Sequence, residues 1–140
     1  MKTALRTLAA VLAGLLVAFL LVSTVELLSN VVHPLPEDFG GTMEEMCRHV
    51  EHYPNWILAI AALLWGATAL VSTWIAQRIG NIYSAVIVGL ILLAALVLNI
   101  SMLPYPIWFK IANVLVIPAA SVAGGRSARR RTSAGTGQPT

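Results

Sequence analysis

Four long runs of apolar residues, separated by short polar breaks, organise this chain. The first extends from about Leu8 to Val32, the second from about Asn55 to Gln77, the third from about Ile82 to Leu103 and the fourth from about Ile107 to Val122. Each approaches the ~20 residues that a helix needs to cross the hydrocarbon core of a bilayer. The breaks carry their own chemistry. His33-Pro34-Leu35-Pro36 ends the first run, because proline has no backbone donor and disfavours helix in the residue before it. Arg78, Gly80 and Asn81 mark a tight turn, and Pro104-Tyr105-Pro106 forces another. Irregular backbone cannot satisfy its polar groups in lipid, so these breaks belong at the membrane surface.

Between Pro34 and Pro54 the pattern changes. Gly40-Gly41 frees the chain, and Thr42 with Glu45 forms a T-x-x-E capping box. Met43, Met46, Cys47, Val50 and Tyr53 then recur at helical spacing on one face, with Glu44, Arg48 and Glu51 on the other. This predicts a short amphipathic helix from about Met43 to His52, lying flat at the interface. Beyond Gly125 the chain is Arg, Ser, Thr and Gly without apolar periodicity, the composition of a disordered basic tail over residues 126–140. The expected fold is all-α. It is a transmembrane four-helix bundle over residues 1–125, with an amphipathic interfacial helix in its first, outer loop.

Composition and charge sharpen the picture. The 140 residues are 58% hydrophobic and only 11% charged, against roughly 45–50% and about 25% in soluble domains. A soluble domain this small could not hide so much apolar surface. The net charge of +3 conceals a segregation of signs. Lys2 and Arg6 precede the first run, Arg78 lies in the second connection, and Arg126, Arg129, Arg130 and Arg131 follow the fourth run. The first connection has Arg48 alone beside Glu37, Asp38, Glu44, Glu45 and Glu51. The positive-inside rule then puts both termini in the cytoplasm and the acidic loop outside. Tyr53, Trp56, Tyr105 and Trp108 are expected in the outer aromatic belt, Trp74 and Tyr83 in the inner one. A cleaved signal peptide is the competing reading of the basic start. The first run outlasts the usual ~7–15 apolar residues and ends without a small-x-small site, so it is read as retained. The single cysteine, Cys47, permits no internal disulfide.

Small residues at four-residue spacing allow helices to approach closely in lipid. Ala10, Gly14 and Ala18 form such a stripe, as do Ala62 with Gly66, Ala85 with Gly89, and Ala120 with Gly124. Pro118 removes a donor from the fourth run and is expected to kink it.

One polar cluster is a candidate for chemistry. Glu26 is the only acidic residue inside an apolar run, and a central charge costs roughly 2.5–3.5 kcal/mol on insertion. It sits roughly 9 Å below Val32 at ~1.5 Å rise per residue. Asn30 and His33 follow on the same stripe, and Ser23 precedes. Asn99, Lys110 and Asn113 reach similar depth from the third and fourth runs. The expectation is a polar pocket of Glu26, Asn30, His33, Asn99, Lys110 and Asn113 in the outer leaflet, with Glu26 facing Lys110. The alternative is that Lys110 snorkels to the headgroups and Glu26 hydrogen-bonds a neighbouring helix. Glu45, His49 and His52 also share one helical stripe near Cys47, a spacing that can ligate zinc. On an acidic interfacial helix such residues are more often solvated, so no metal or other cofactor is assigned.

Two stretches carry a resemblance. One is Glu26 with His33-Pro34-Leu35-Pro36, Tyr53-Pro54 and Trp65-Gly66-Ala67. The other runs from Asn99-Ile100-Ser101 through Pro104-Tyr105-Pro106-Ile107-Trp108-Phe109, with Pro118-Ala119-Ala120 beyond. Together they resemble a group of small uncharacterised bacterial four-span integral membrane proteins. In that group an acidic residue and P-x-P end the first span, and P-x-P-x-W-F opens the fourth. The resemblance implies a multi-pass protein of the bacterial inner (plasma) membrane and nothing catalytic. Small multidrug exporters also place a glutamate in the first span, but lack this loop and this charge bias. The glutathione-linked membrane enzymes carry an arginine-rich signature that is absent beside Glu26, and quinone-linked thiol oxidoreductases need paired cysteines.

The expected function is a non-catalytic accessory or assembly component, not an enzyme. Its partners would be the lipid bilayer and either further copies of the chain or another membrane protein. The competing expectation is a small transporter or channel subunit that uses Glu26 and Lys110. Four arginines on a tail form no surface for reading nucleic acid.

Overall fold

The computed structural model describes the backbone of residues 2–134 and side chains as far as Arg129. The described residues are all-helical: α1 (Lys2–Val32), α2 (Met43–Glu51), α3 (Asn55–Ile79), α4 (Ile82–Met102) and α5 (Ile107–Ala134). All but α2 are long and apolar enough to cross a membrane, which makes this a multi-pass membrane protein. The expected short helix is present as α2. The Thr42 hydroxyl accepts from the Glu45 backbone, and the Glu45 carboxylate accepts in return from the backbone of Thr42 and Gly40.

α3 and α4 each touch every other long helix, whereas α1 and α5 lie on opposite sides of that pair and do not meet. Small residues set the crossings, as lipid-embedded packing requires. At Gly14 a Cβ would come within 3.0 Å of Val88 and 3.1 Å of both Ala76 and the Ser72 carbonyl. At Gly66 it would come within 2.6 Å of Val116. At Gly124 it would meet the backbone of Leu70 and the Thr73 hydroxyl. Two threonine hydroxyls bond within their own helix: Thr73 Oγ1 donates to Ala69 O at 2.7 Å, and Thr68 Oγ1 to Leu64 O at 2.9 Å. The outward faces are leucine-rich; Leu12, Phe19, Leu63, Leu90 and Leu115 are all exposed. Side chains that shed water are at no disadvantage against lipid tails.

The two ends of the bundle differ. At the turn end, Arg6 Nε donates to the Ile79 carbonyl at 2.7 Å and Asn81 Nδ2 donates to the Thr7 hydroxyl at 2.9 Å. Asn81 and Ser84 also cap the start of α4 reciprocally. These bonds fasten α1 to the α3–α4 turn. At the opposite end, α2 reaches the bundle through side chains. Cys47 Sγ lies 3.8 Å from the Met102 carbonyl, and the His49 ring stacks on that of His33.

Two boundaries depart from the sequence pattern. α1 begins at Lys2, and α5 runs on past Pro118 and Gly125 to Ala134, so residues 126–134 are helical where a disordered tail was expected. Arginine and alanine are good helix formers, and extending a helix already nucleated costs little. Gly124 and Gly125, which would end an exposed helix, are buried against neighbours. The rest of the expected tail, residues 135–140, lies outside the described residues.

Candidate ligand vestibule

A cavity of about 410 Å³ lies at the α2 end. Its walls follow from local structure. α1 stops at Val32, ahead of Pro34, and its last turns present Val25, Glu26, Ser29 and Asn30. α4 contributes Asn99 and Met102 from its last turn, and α3 supplies Ile57, Leu58, Ala61 and Trp65 as the back wall. The amphipathic α2 roofs the space with Met43, Met46, His49 and Val50. Pro104 and Pro106 bracket Tyr105 and turn it inward beside Phe109. Phe109, only 1% exposed, holds the aromatic wall together. Its ring centroid lies 4.8 Å from that of Tyr105 and 5.5 Å from that of Trp65.

Glu26, Asn30, Asn99 and Met102 are exposed, whereas the α3 and α5 walls are largely buried. The cavity therefore opens sideways, between the last turns of α1 and α4. Glu26 has no hydrogen bond or ion pair among the described residues; the ion pair present is Arg48 with Glu44, at 3.4 Å.

Two phenols feel that carboxylate. Burial pushes the Tyr105 hydroxyl up to about 12, helped by the neighbouring Tyr53 and by Glu26. Tyr53 is raised in the same way, first by burial and then by Glu26. Both remain neutral hydrogen-bond donors across the physiological range. The chamber thus combines one carboxylate, two phenols, two amides, thioethers and the Trp65 indole. Ring faces attract cations and thioethers adapt to apolar shapes, so this arrangement suits holding a ligand with a positive end and an apolar body.

Of the six expected cluster residues, the structure brings Glu26, Asn30 and Asn99 together. His33 turns away: its ring stacks on His49 at 4.5 Å and meets Tyr53 at 4.7 Å, lining a second cleft with Asp38, Arg48 and His52. Burial, followed by the nearby His33 and His52, holds His49 below the ordinary histidine value. Among the described residues no ion pair joins Glu26 to Lys110. They stand on helices that do not meet, with α3 and α4 between. Asn113 is fully buried and donates from Nδ2 to the Phe109 carbonyl one turn back, at 2.9 Å. Equal depth along two helices does not bring their side chains to the same side.

Tyr53 and Tyr105, expected at the outer boundary, also line the chamber. The bracketing prolines around Tyr105 are the sequence signal that could have marked it. The Glu45, His49, His52 stripe is not brought together either. Glu45 is engaged in the cap, His49 faces His33, and the His52 ring lies 2.7 Å from the Arg48 carbonyl. Among the described residues no three His, Cys, Asp or Glu side chains gather as a metal site.

Comparison with protein-family models, with curated proteins and with solved structures finds no match to this chain.

Proposed function

We propose that this chain is a non-catalytic component of a bacterial inner membrane. Its termini are cytoplasmic, and it works by holding a cationic, partly apolar ligand in the chamber roofed by α2. The observation that carries the reading is the uncompensated Glu26 carboxylate at the lateral mouth of a chamber walled by Tyr53, Tyr105 and Trp65. The charge bias along the chain supports the orientation, which sets the chamber in the outer leaflet.

A second reading, a small transporter, draws on the same cavity. It would need a path onward to the other side. Below the chamber the crossings at Gly14, Gly66 and Gly124 leave no room for even a methyl group without displacement. That closure supports holding over passage. Native mass spectrometry of gently extracted protein, together with a flux assay in liposomes, separates the two. The holding role predicts a co-purified amphiphile or partner subunit and no cation flux above empty vesicles. Flux that disappears on Glu26→Gln would overturn it in favour of transport.

A further inference from the structure

We infer that the groove between α4 and α5 at the turn end is a binding site for one anionic phospholipid, its phosphodiester held by Arg126 and Arg129 and an acyl chain lying along the groove. The groove encloses about 290 Å³. Its floor is low because small residues face one another there. A Cβ at Gly125 would lie 3.7 Å from that of Ala85, and one at Gly89 would lie 3.3 Å from Ser121. Its sides are apolar: Ile82, Val86, Leu90 and Leu93 from α4, Pro118 and Val122 from α5. Val86, Leu90 and Val122 are each at least half exposed, so the groove is open to whatever surrounds the helices.

The arginines decide what that occupant is. The continuation of α5 to Ala134 carries Arg126 and Arg129 on one face, three residues apart, at the mouth of the groove. Had the chain ended its helix at Gly125, neither would have a fixed position. Arginine presents a planar fork of donors that matches phosphate oxygens, and it holds its charge at any working pH. No acidic side chain lines this groove. An anionic lipid matches both parts at once, its acyl chain along the apolar sides and its phosphodiester at the cationic mouth. Basic pockets between spans at a membrane surface recognise lipid headgroups by this combination.

The site is tested on the full chain purified in a neutral detergent, exchanged into nanodiscs of equal phosphatidylglycerol and phosphatidylcholine, and ejected for native mass spectrometry. The expected result is one phosphatidylglycerol retained per chain in preference to phosphatidylcholine. Retention should fall at least about tenfold in an Arg126→Ala, Arg129→Ala double variant. Both side chains are exposed, and an unchanged circular dichroism spectrum checks that the double variant keeps its fold. Val122→Trp fills the apolar groove while keeping both charges, and should also abolish retention. Arg78→Ala removes an exposed cation at the same end and should leave retention unchanged. The site is refuted if the double variant retains the lipid as the native chain does, if phosphatidylcholine is held equally, or if Arg78→Ala lowers retention as much as the double variant.

Discussion

Gly124 and Gly125 are neighbours in the sequence with opposite roles, and substituting each by alanine separates them. At position 124 a methyl group would strike the backbone of Leu70 and the Thr73 hydroxyl. A carbonyl in the middle of α3 cannot rotate away, so α3 and α5 must separate along their shared seam. Overpacking of this kind costs roughly 1–3 kcal/mol. Removing a helix-interior glycine returns roughly 0.5–1 kcal/mol, which leaves a net loss of up to about 2.5 kcal/mol. At position 125 the same methyl would rest 3.7 Å from the Ala85 Cβ, an ordinary contact. There only the helix term remains, and Gly125→Ala should stabilise by roughly 0.5–1 kcal/mol. Reversible unfolding in mixed micelles, followed by circular dichroism, reads both. The packing argument fails if Gly124→Ala is as stable as the native chain, or if Gly125→Ala loses as much as Gly124→Ala.

Four further outcomes follow from the α2 end. Thr42→Ala removes a helix cap worth roughly 0.5–2 kcal/mol. Amide exchange across α2 should accelerate several-fold while α3 to α5 are unchanged. Hydrogen bonds from Thr42 hold Glu45 below its ordinary 4.5, so the cap's contribution is complete above that value and lost as pH falls through the lowered one. The same exchange measurement in acid should show α2 loosening first. His49, lowered by burial, stabilises α2 docking fully above the ordinary 6.5 and loses that contribution as pH falls through its depressed value. His49→Phe keeps the ring against His33 and should remove this step from the pH profile. Tyr105 should ionise only near 12, seen as the high-pH component of the tyrosinate absorbance that Tyr105→Phe deletes.

The sequence made depth along each helix legible but not direction around it. Proline and glycine punctuation located the breaks, because what stops a helix is a local property of the backbone. The T-x-x-E pattern located α2 for the same reason. Glu26, Asn30 and Asn99 meet as depth suggested, since α1 and α4 flank a common opening. Lys110 and Asn113 share that depth and still miss the cluster, because the order of helices around the bundle is set by small-residue crossings that many pairings would satisfy. Tyr53 and Tyr105 were hidden by the opposite ambiguity, since an aromatic residue at an interface can face headgroups or a cavity. The basic end of α5 misled by composition, because a charged segment that could not fold alone extends a helix already buried behind it.

Equilibrium binding of tetraphenylphosphonium to the full chain in neutral detergent tests the chamber most directly. A unit charge about 4 Å from a carboxylate interacts by about 4 kcal/mol at an effective dielectric of 20, less at a mouth as open as this one. Loss of that attraction in Glu26→Gln should weaken binding by about 10–100-fold, equivalent to about 1.4–2.8 kcal/mol. Glu26→Asp should keep most of the affinity, and Glu26→Lys, which places a cation in the chamber, should abolish it. Equal affinity in the native chain and Glu26→Gln would contradict the assignment of Glu26 as the anchor of this site.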